Sequence, residues 1–264
     1  MRTLGDLFRL PVLSRLCWTV WQRDMDVYKK TFKVNVVPPL LEPILYLVAL
    51  GFGLGLFIKE IEGIPYTRFI APALFSITTM YAAFFECSYA SYVRMYYQKA
   101  FDAIIATPVN IDEVVAGEML SGATKALING GIVAGVIAAF GLVDLRYIVL
   151  LLPFAFIAGV LFAALGMICT AVVPSIDSFN YPVFLFITPM FLFSGTFFPM
   201  SVLPEGIQVL AYALLPLTHV VKIARGLTLG TPGVSLLLSL LWMVGVSSLT
   251  FILAINLMRK RLIQ

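Results

Sequence analysis

The chain has 264 residues, of which 61% are hydrophobic and 12% charged, and its mean hydropathy is +0.98. A soluble domain carries roughly a quarter charged residues, so this composition excludes a fold made for water. The net charge of +4 and the isoelectric point of about 9.0 are absorbed by the lysine and arginine bias of a membrane protein and imply no nucleic-acid partner.

The first stretch, "MRTLGDLFRLPVLSRLCWTVWQRD", meets a charge every few residues and never builds the apolar core of a signal peptide. It reads as an amphipathic helix within residues 1–31, lying on the membrane surface. Leu13, Leu16, Cys17 and Val20 fall on one face; Ser14, Arg15, Thr19, Gln22 and Arg23 fall elsewhere; Trp18 and Trp21 suit the headgroup zone.

Six apolar runs follow, at about 34–58, 66–93, 112–140, 146–173, 181–199 and 234–258. Each meets the length of roughly 20 residues needed to span a bilayer. In lipid every backbone polar group must be paired within its segment, so such runs are helices; the alternation of a β-barrel is absent. The fold class is therefore all-α, one transmembrane domain over residues 1–264. Arg2, Arg9, Arg15, Arg23, Lys29, Lys30, Lys33, Arg94, Lys99, Arg259, Lys260 and Arg261 share one side when both termini are cytoplasmic. Only Lys59, Arg68, Arg146, Lys222 and Arg225 then fall outside. This asymmetry sets the expected orientation.

In the first span, Gly51, Gly53 and Gly55 leave one side narrow, and Gly51 with Gly55 have the small-xxx-small spacing of close helix packing. They predict that this part of the first span packs closely against another helix, in this chain or in a second copy of it. Glu42, in "PPLLEPILY", has no obvious partner and faces a cavity or a second subunit.

The second span carries Tyr81, Phe85, Tyr89, Tyr92 and Tyr96 at near-helical spacing, a stripe on one face. Two readings stand: a path for a sugar- or lipid-bearing substrate, or an interface belt with ordinary packing. Charges inside spans are costly and usually paired or functional. Glu86 with Lys125, and Arg94 with Glu118, have nearly equal sums of residue numbers, which means equal depth on antiparallel helices. They are expected to form two stacked ion pairs, or each to reach water separately.

Between spans two and three lies "YYQKAFDAIIATPVN", residues 96–110. Phe101, Ile104 and Ile105 form one apolar face, Gln98, Lys99 and Asp102 are polar, and Thr107-Pro108 ends the helix. A single apolar face in the cytosol wants a partner or the membrane surface. After span five, Pro199, Pro204, Pro216 and Pro232 cut residues 200–232 into pieces too short to cross, which read as re-entrant or interfacial helices at the outer face. His219, the sole histidine, is expected as a polar tip at headgroup level rather than a catalytic group. Cys17, Cys87 and Cys169 show no metal spacing and read as apolar fillers.

No P-loop, H-E-x-x-H or G-x-S-x-G occurs, and no inverted repeat with broken spans. The order of a surface helix, "EPILYLVALGFGLG", "YYQKAFDAIIATPVNIDEVVAGE", "FLFSGTFFPMSVLP" and "LLPLTHVVKIARGLTLG" resembles ABC-2 type exporter permeases, most of all the NodJ-like kind. The resemblance covers nearly the whole chain. It implies that Phe101, Asp102, Ile104 and Ile105 belong to a coupling helix that docks on a separate ABC ATPase, present in two copies. It also implies a permease homodimer in the bacterial inner membrane, with no cofactor in this chain: ATP and Mg belong to the ATPase. The substrate expected from it is a lipo-oligosaccharide, glycolipid or related lipid-linked molecule, moved outward. The stripe and Glu42 then become candidate path residues. An ion-coupled secondary transporter is the alternative, and an intramembrane enzyme a third reading that lacks the necessary groups.

Overall fold

The computed structural model describes residues 8–143, 145–231 and 233–263. Arg2, within the expected surface helix, and Pro232, at the end of the re-entrant segment, lie outside the described residues.

Helix α1 covers Leu16–Lys30. Helix α2, Phe32–Leu56, is the first of six helices among the described residues that are long and apolar enough to cross a membrane. The others are α3 (Tyr66–Tyr97), α5 (Ile111–Ala139), α6 (Arg146–Val172), α7 (Ile176–Phe193) and α10 (Val234–Leu262). Between α3 and α5 sits the short α4, Ala100–Ile105. Between α7 and α10 lie α8, Glu205–Leu214, and α9, Pro216–Thr228, which meet at 94°. A two-residue hairpin, β1 (Glu60–Ile61) with β2 (Ile64–Pro65), joins α2 to α3. The chain is thus an all-α membrane protein.

The core is α3, α5 and α6 packed together. Small residues allow the approach: a Cβ on Gly166 of α6 would stand 2.5 Å from the Phe84 carbonyl oxygen, and one on Gly159 would stand 2.9 Å from the Ala123 Cα. Dispersion and close packing replace the hydrophobic effect inside lipid, so small residues mark the tightest contacts. The expected glycine seam in α2 is different. A Cβ on Gly51 would meet Thr67 of α3 at 3.0 Å, whereas one on Gly53 would meet nothing and one on Gly55 only its own helix. The small-residue seam of this fold therefore runs through α5 and α6, and α2 keeps most of its surface outside the core.

One end of the bundle gathers α4, the start of α5, the end of α10 and the N-terminal segment. Asn110 and Glu113 form a capping box at the start of α5, satisfying orphan backbone N–H groups reciprocally. The Val12 N–H donates to Asp112 at 2.8 Å and the Ser14 N–H to Glu113 at 3.1 Å. Arg259 of α10 pairs with Asp112. Asn256 Nδ2 donates to the Arg9 carbonyl at 2.8 Å, and Arg261 Nη1 to the Val173 carbonyl at 2.6 Å. Both ends of the described chain are therefore fastened beside α4.

Helix α1 keeps part of the expected face: Val20 is buried and Cys17 half-buried. Leu13 and Leu16 are exposed instead, and Asp24, Met25 and Tyr28 join the buried side. This side lies against α5, where a Cβ on Gly117 would stand 2.6 Å from Val20 Cβ and 2.8 Å from the Cys17 carbonyl oxygen. Trp18 is exposed and stacks on Trp21, whose indole N–H donates to Thr124 at 2.9 Å. The inner side of α1 is chosen by what α5 offers: a bare backbone at Gly117 and, on the next residue, the Glu118 carboxylate that Arg23 reaches.

Candidate functional site

Beneath α1, six ionisable side chains form one network. Glu86 Oε2 lies 2.6 Å from Lys125 Nζ, and Glu86 Oε1 lies 2.8 Å from Arg94 Nη1. Arg94 Nη2 reaches Glu118 Oε2 at 2.5 Å. Arg23 Nη2 then bridges Glu118 Oε1 at 3.0 Å and Asp24 Oδ1 at 2.6 Å. Ser91 Oγ donates to Glu118 at 2.6 Å, and Lys125 Nζ lies 5.2 Å from the centre of the Tyr28 ring. Three cations face three carboxylates, and Glu118 is fully buried. A buried charge is tolerated when it is paired and its lone pairs are satisfied.

The equal-depth argument brought Glu86 to Lys125 and Arg94 to Glu118. It described two separate pairs, whereas Arg94 touches both acids and fuses them. Two π-helical turns in α3, Glu86–Ala90 and Val93–Tyr97, bracket this region; such widened turns often occur at functional sites. Arg23 and Asp24 were missed. Their signal was present in α1, where Val20, Asp24 and Tyr28 recur at i, i+4, i+8 with an acid in the middle of the buried line.

Asp24 is 5% exposed, and its Oδ2 has no hydrogen-bond partner among the described residues. Burial, with the neighbouring Glu118 charge, raises its pKa from 3.8 to about 6; Arg94 and Arg23 oppose the rise. It is the member of the network placed to change charge near neutral pH.

A cleft of about 650 Å³ opens onto the network, lined among others by Arg23, Asp24, Phe85, Tyr89, Arg94 and Lys125. Only part of the aromatic stripe faces it. Tyr81 stacks on Phe85 and on Phe191 of α7, at 5.4 and 6.3 Å between ring centres. Tyr89 and Tyr92 pack on Phe179 of α7. Tyr92 is 1% exposed and its hydroxyl donates to the Pro174 carbonyl at 2.9 Å. The stripe is largely a seam between α3 and α7, and Tyr92, buried in it, does not line an open path. Tyr96 is exposed beside α4. Glu42 stands apart, on an outward groove of α2 with Pro38, Leu41, Leu45, Tyr46 and Ala49.

In α4 the expected apolar anchor is turned inward. Phe101 is fully buried, Ile104 and Ile105 are half-buried, and Asp102, Ala103, Ala106, Thr107 and Pro108 are exposed. Phe101 holds α4 to its own bundle and offers nothing to a docking partner. A left-handed Lys99 (φ 53°) makes the sharp turn from α3 into α4, and Thr107 Oγ1 donates to the Ile104 carbonyl at 2.6 Å where the helix stops.

His219 is also not where a surface tip would be. It is 6% exposed, its ring stacks on Trp242 at 4.1 Å, and Nε2 donates to the Tyr212 carbonyl at 2.8 Å. It pins the bend between α8 and α9 to α10. The three cysteines are free, and no metal-ligand cluster occurs among the described residues.

The family model for ABC-2 type transporters matches residues 15–229. The chain belongs to the ABC-2 type transporter family. As a permease of that family it is 34% identical, over 93% of both chains, to Nodulation protein J of Sinorhizobium fredii. It is 35% identical to Nodulation protein J of Rhizobium leguminosarum bv. viciae, over 93% of this chain and 94% of that one. A more distant relative, 23% identical over 77% of this chain and 79% of that one, is the inner membrane transport permease YadH of Escherichia coli. No solved structure matches. Membership implies an ABC ATPase partner and a place in a membrane, and gives no support to an ion-coupled transporter. In this ABC-2 permease the ionic network lies close to α4: Arg94 is in the last turns of α3 and Glu118 is two turns into α5.

Proposed function

We propose that the chain is the permease subunit of an ATP-driven exporter. It moves an amphipathic molecule, most consistent with a lipo-oligosaccharide, glycolipid or related lipid-linked species, outward across a bacterial inner membrane. The observation that carries this reading is the mounting of α4. Its exposed side is free for a partner, while the helices on either side of it are tied by Arg94–Glu118 and Glu86–Lys125. A push on α4 moves α3 and α5 together, and Arg23 carries the movement into α1.

The partner is a separate ABC ATPase in two copies, which binds ATP and Mg. Asp102, with Ala103, Ala106 and Thr107, makes the contact, and Ile104 and Ile105 flank it. The α4 end, with both ends of the described chain fastened beside it, faces the cytoplasm, in line with the lysine and arginine bias. A second permease copy covers part of α2, and Phe85, Tyr89 and the cleft beside them meet the substrate. Tyr81 and Glu42 flank that route.

The test is reconstitution. The permease with its ATPase in proteoliposomes should transfer labelled lipo-oligosaccharide only with ATP, and a P-loop lysine-to-alanine change in the ATPase should stop it. Transfer without the ATPase, driven by an imposed ion gradient, would overturn the proposal.

A further inference from the structure

At the end of the bundle away from α4, a second cavity of about 450 Å³ is lined by the β-hairpin, the start of α3, the segment after α7, and α8, α9 and α10. This volume lies in the range of small-ligand sites. Its character differs from the network beneath α1. There every cation has a carboxylate; here Arg225 and Lys222 of α9 face the cavity, and neither makes an ion pair among the described residues.

Arg225 is held in place and left incomplete. Its guanidinium lies 3.8 Å from the centre of the Phe69 ring, and Nη2 donates to the Gly195 and Phe69 carbonyls at 2.9 and 3.3 Å. Its Nε is buried with no hydrogen-bond partner. Lys222 Nζ sits 5.1 Å from the centre of the Tyr212 ring. The acid in the lining, Glu62, is at the exposed rim and accepts a hydrogen bond from Ser201 at 3.0 Å. Ser194 and Thr218 hydroxyls, paired at 3.1 Å, complete the lining with further donors.

Two cations against one rim carboxylate leave an excess positive charge in a partly desolvated pocket. A guanidinium shut away from water is costly unless an anion or acceptors satisfy it. Carbonyls and an aromatic face satisfy part of Arg225; its fork geometry matches a tetrahedral oxyanion, and lysine serves as a point charge for the same group. We propose that this pocket binds a phosphate group, carried on a lipid headgroup or free in solution, with Arg225 and Lys222 as its cationic ligands. The site stands independently of the export reading, since it needs neither the ATPase nor the exported molecule.

The full-length permease, purified in a nonionic detergent, is titrated calorimetrically with inorganic phosphate, with dihexanoyl phosphatidic acid and with dihexanoylglycerol. Saturable binding of phosphatidic acid well above inorganic phosphate identifies a headgroup site; equal binding of the two identifies a free-phosphate site. Lys222→Gln should weaken either by about tenfold, the loss of one charge-assisted contact. This variant spares the carbonyls that Arg225 holds, so its fold is checked by an unchanged melting temperature. Arg225→Lys, which keeps charge and loses the fork, should weaken binding as well. The proposal is overturned by no saturable binding of either phosphate compound. Unchanged affinity in Lys222→Gln, or equal binding of dihexanoylglycerol, would also overturn it.

Discussion

Arg94 and Glu118 meet at 2.5 Å across α3 and α5, two short stretches of helix away from α4 on either side. The same guanidinium reaches Glu86, so one residue holds two carboxylates whose remaining partners are Lys125 and Arg23. Arg94 is therefore the centre of the network and Lys125 its edge.

Removing the centre should cost most. Arg94→Leu leaves two buried carboxylates short of a partner and should destabilise the permease by about 3–5 kcal/mol, the usual cost of breaking a buried pair on one side. Lys125→Met leaves Glu86 with Arg94 and should cost less. Arg94→Leu combined with Glu118→Gln should recover part of the loss. Thermal unfolding of the purified variants measures this; equal melting temperatures for Arg94→Leu and Lys125→Met would contradict the shared role of Arg94.

Asp24 gives a pH dependence of defined sign. Its pKa in the folded chain is about 6, above the ordinary 3.8. The folded state thus holds more protons than the unfolded one between these values, and stability falls as pH rises through that window. Above about pH 6 the full penalty is present, at most about 3 kcal/mol for a shift of this size. The melting temperature should fall from pH 4.5 to pH 6.5 more steeply in the native chain than in Asp24→Asn. Parallel profiles would remove Asp24 as the source.

How far the sequence reached depends on which physical signal each element carries. The spans were legible because lipid forces long uninterrupted apolar runs, and α8 and α9 because prolines divide them. Glu86–Lys125 and Arg94–Glu118 were legible because antiparallel helices convert residue sums into depth. Arg23 and Asp24 were not, since they come from α1, whose inner side depends on where it crosses α5. Phe101 misled for a related reason: a lone apolar residue on a short helix can face a partner or its own bundle, and periodicity cannot choose. The close contacts at Gly159 and Gly166 likewise lie in helices where glycine spacing alone gives no direction.

The two sides of α4 should separate by mutation. Phe101→Ala empties a fully buried position and should destabilise the permease by about 3–5 kcal/mol, lowering its yield before any question of coupling arises. Ala106→Asp changes only an exposed position and should leave the stability within about 0.5 kcal/mol of the native value. It should nevertheless reduce co-purification with the ATPase and ATP-driven transfer. Normal ATPase recovery with Ala106→Asp would remove this side of α4 from the contact.

The crossing of α1 over α5 at Gly117 makes the attachment of α1 testable apart from its charges. A Cβ at Gly117 would lie 2.6 Å from Val20 Cβ and 2.8 Å from a backbone oxygen, so α1 itself has to move; at Gly135, on the same helix, an added Cβ meets nothing within 4 Å. Overpacking of this kind costs about 1–3 kcal/mol, whereas alanine for an unconstrained glycine inside a helix gains about 0.5–1 kcal/mol. Gly117→Ala should therefore lower the melting temperature and Gly135→Ala should hold or raise it. Because Arg23 and Asp24 ride on α1, Gly117→Ala should also speed hydrogen exchange across residues 16–30 and flatten the pH profile assigned to Asp24. If Gly117→Ala slows exchange there or matches Gly135→Ala in stability, α1 is not seated on α5 by this contact, and the network would have to be held by α3 and α5 alone.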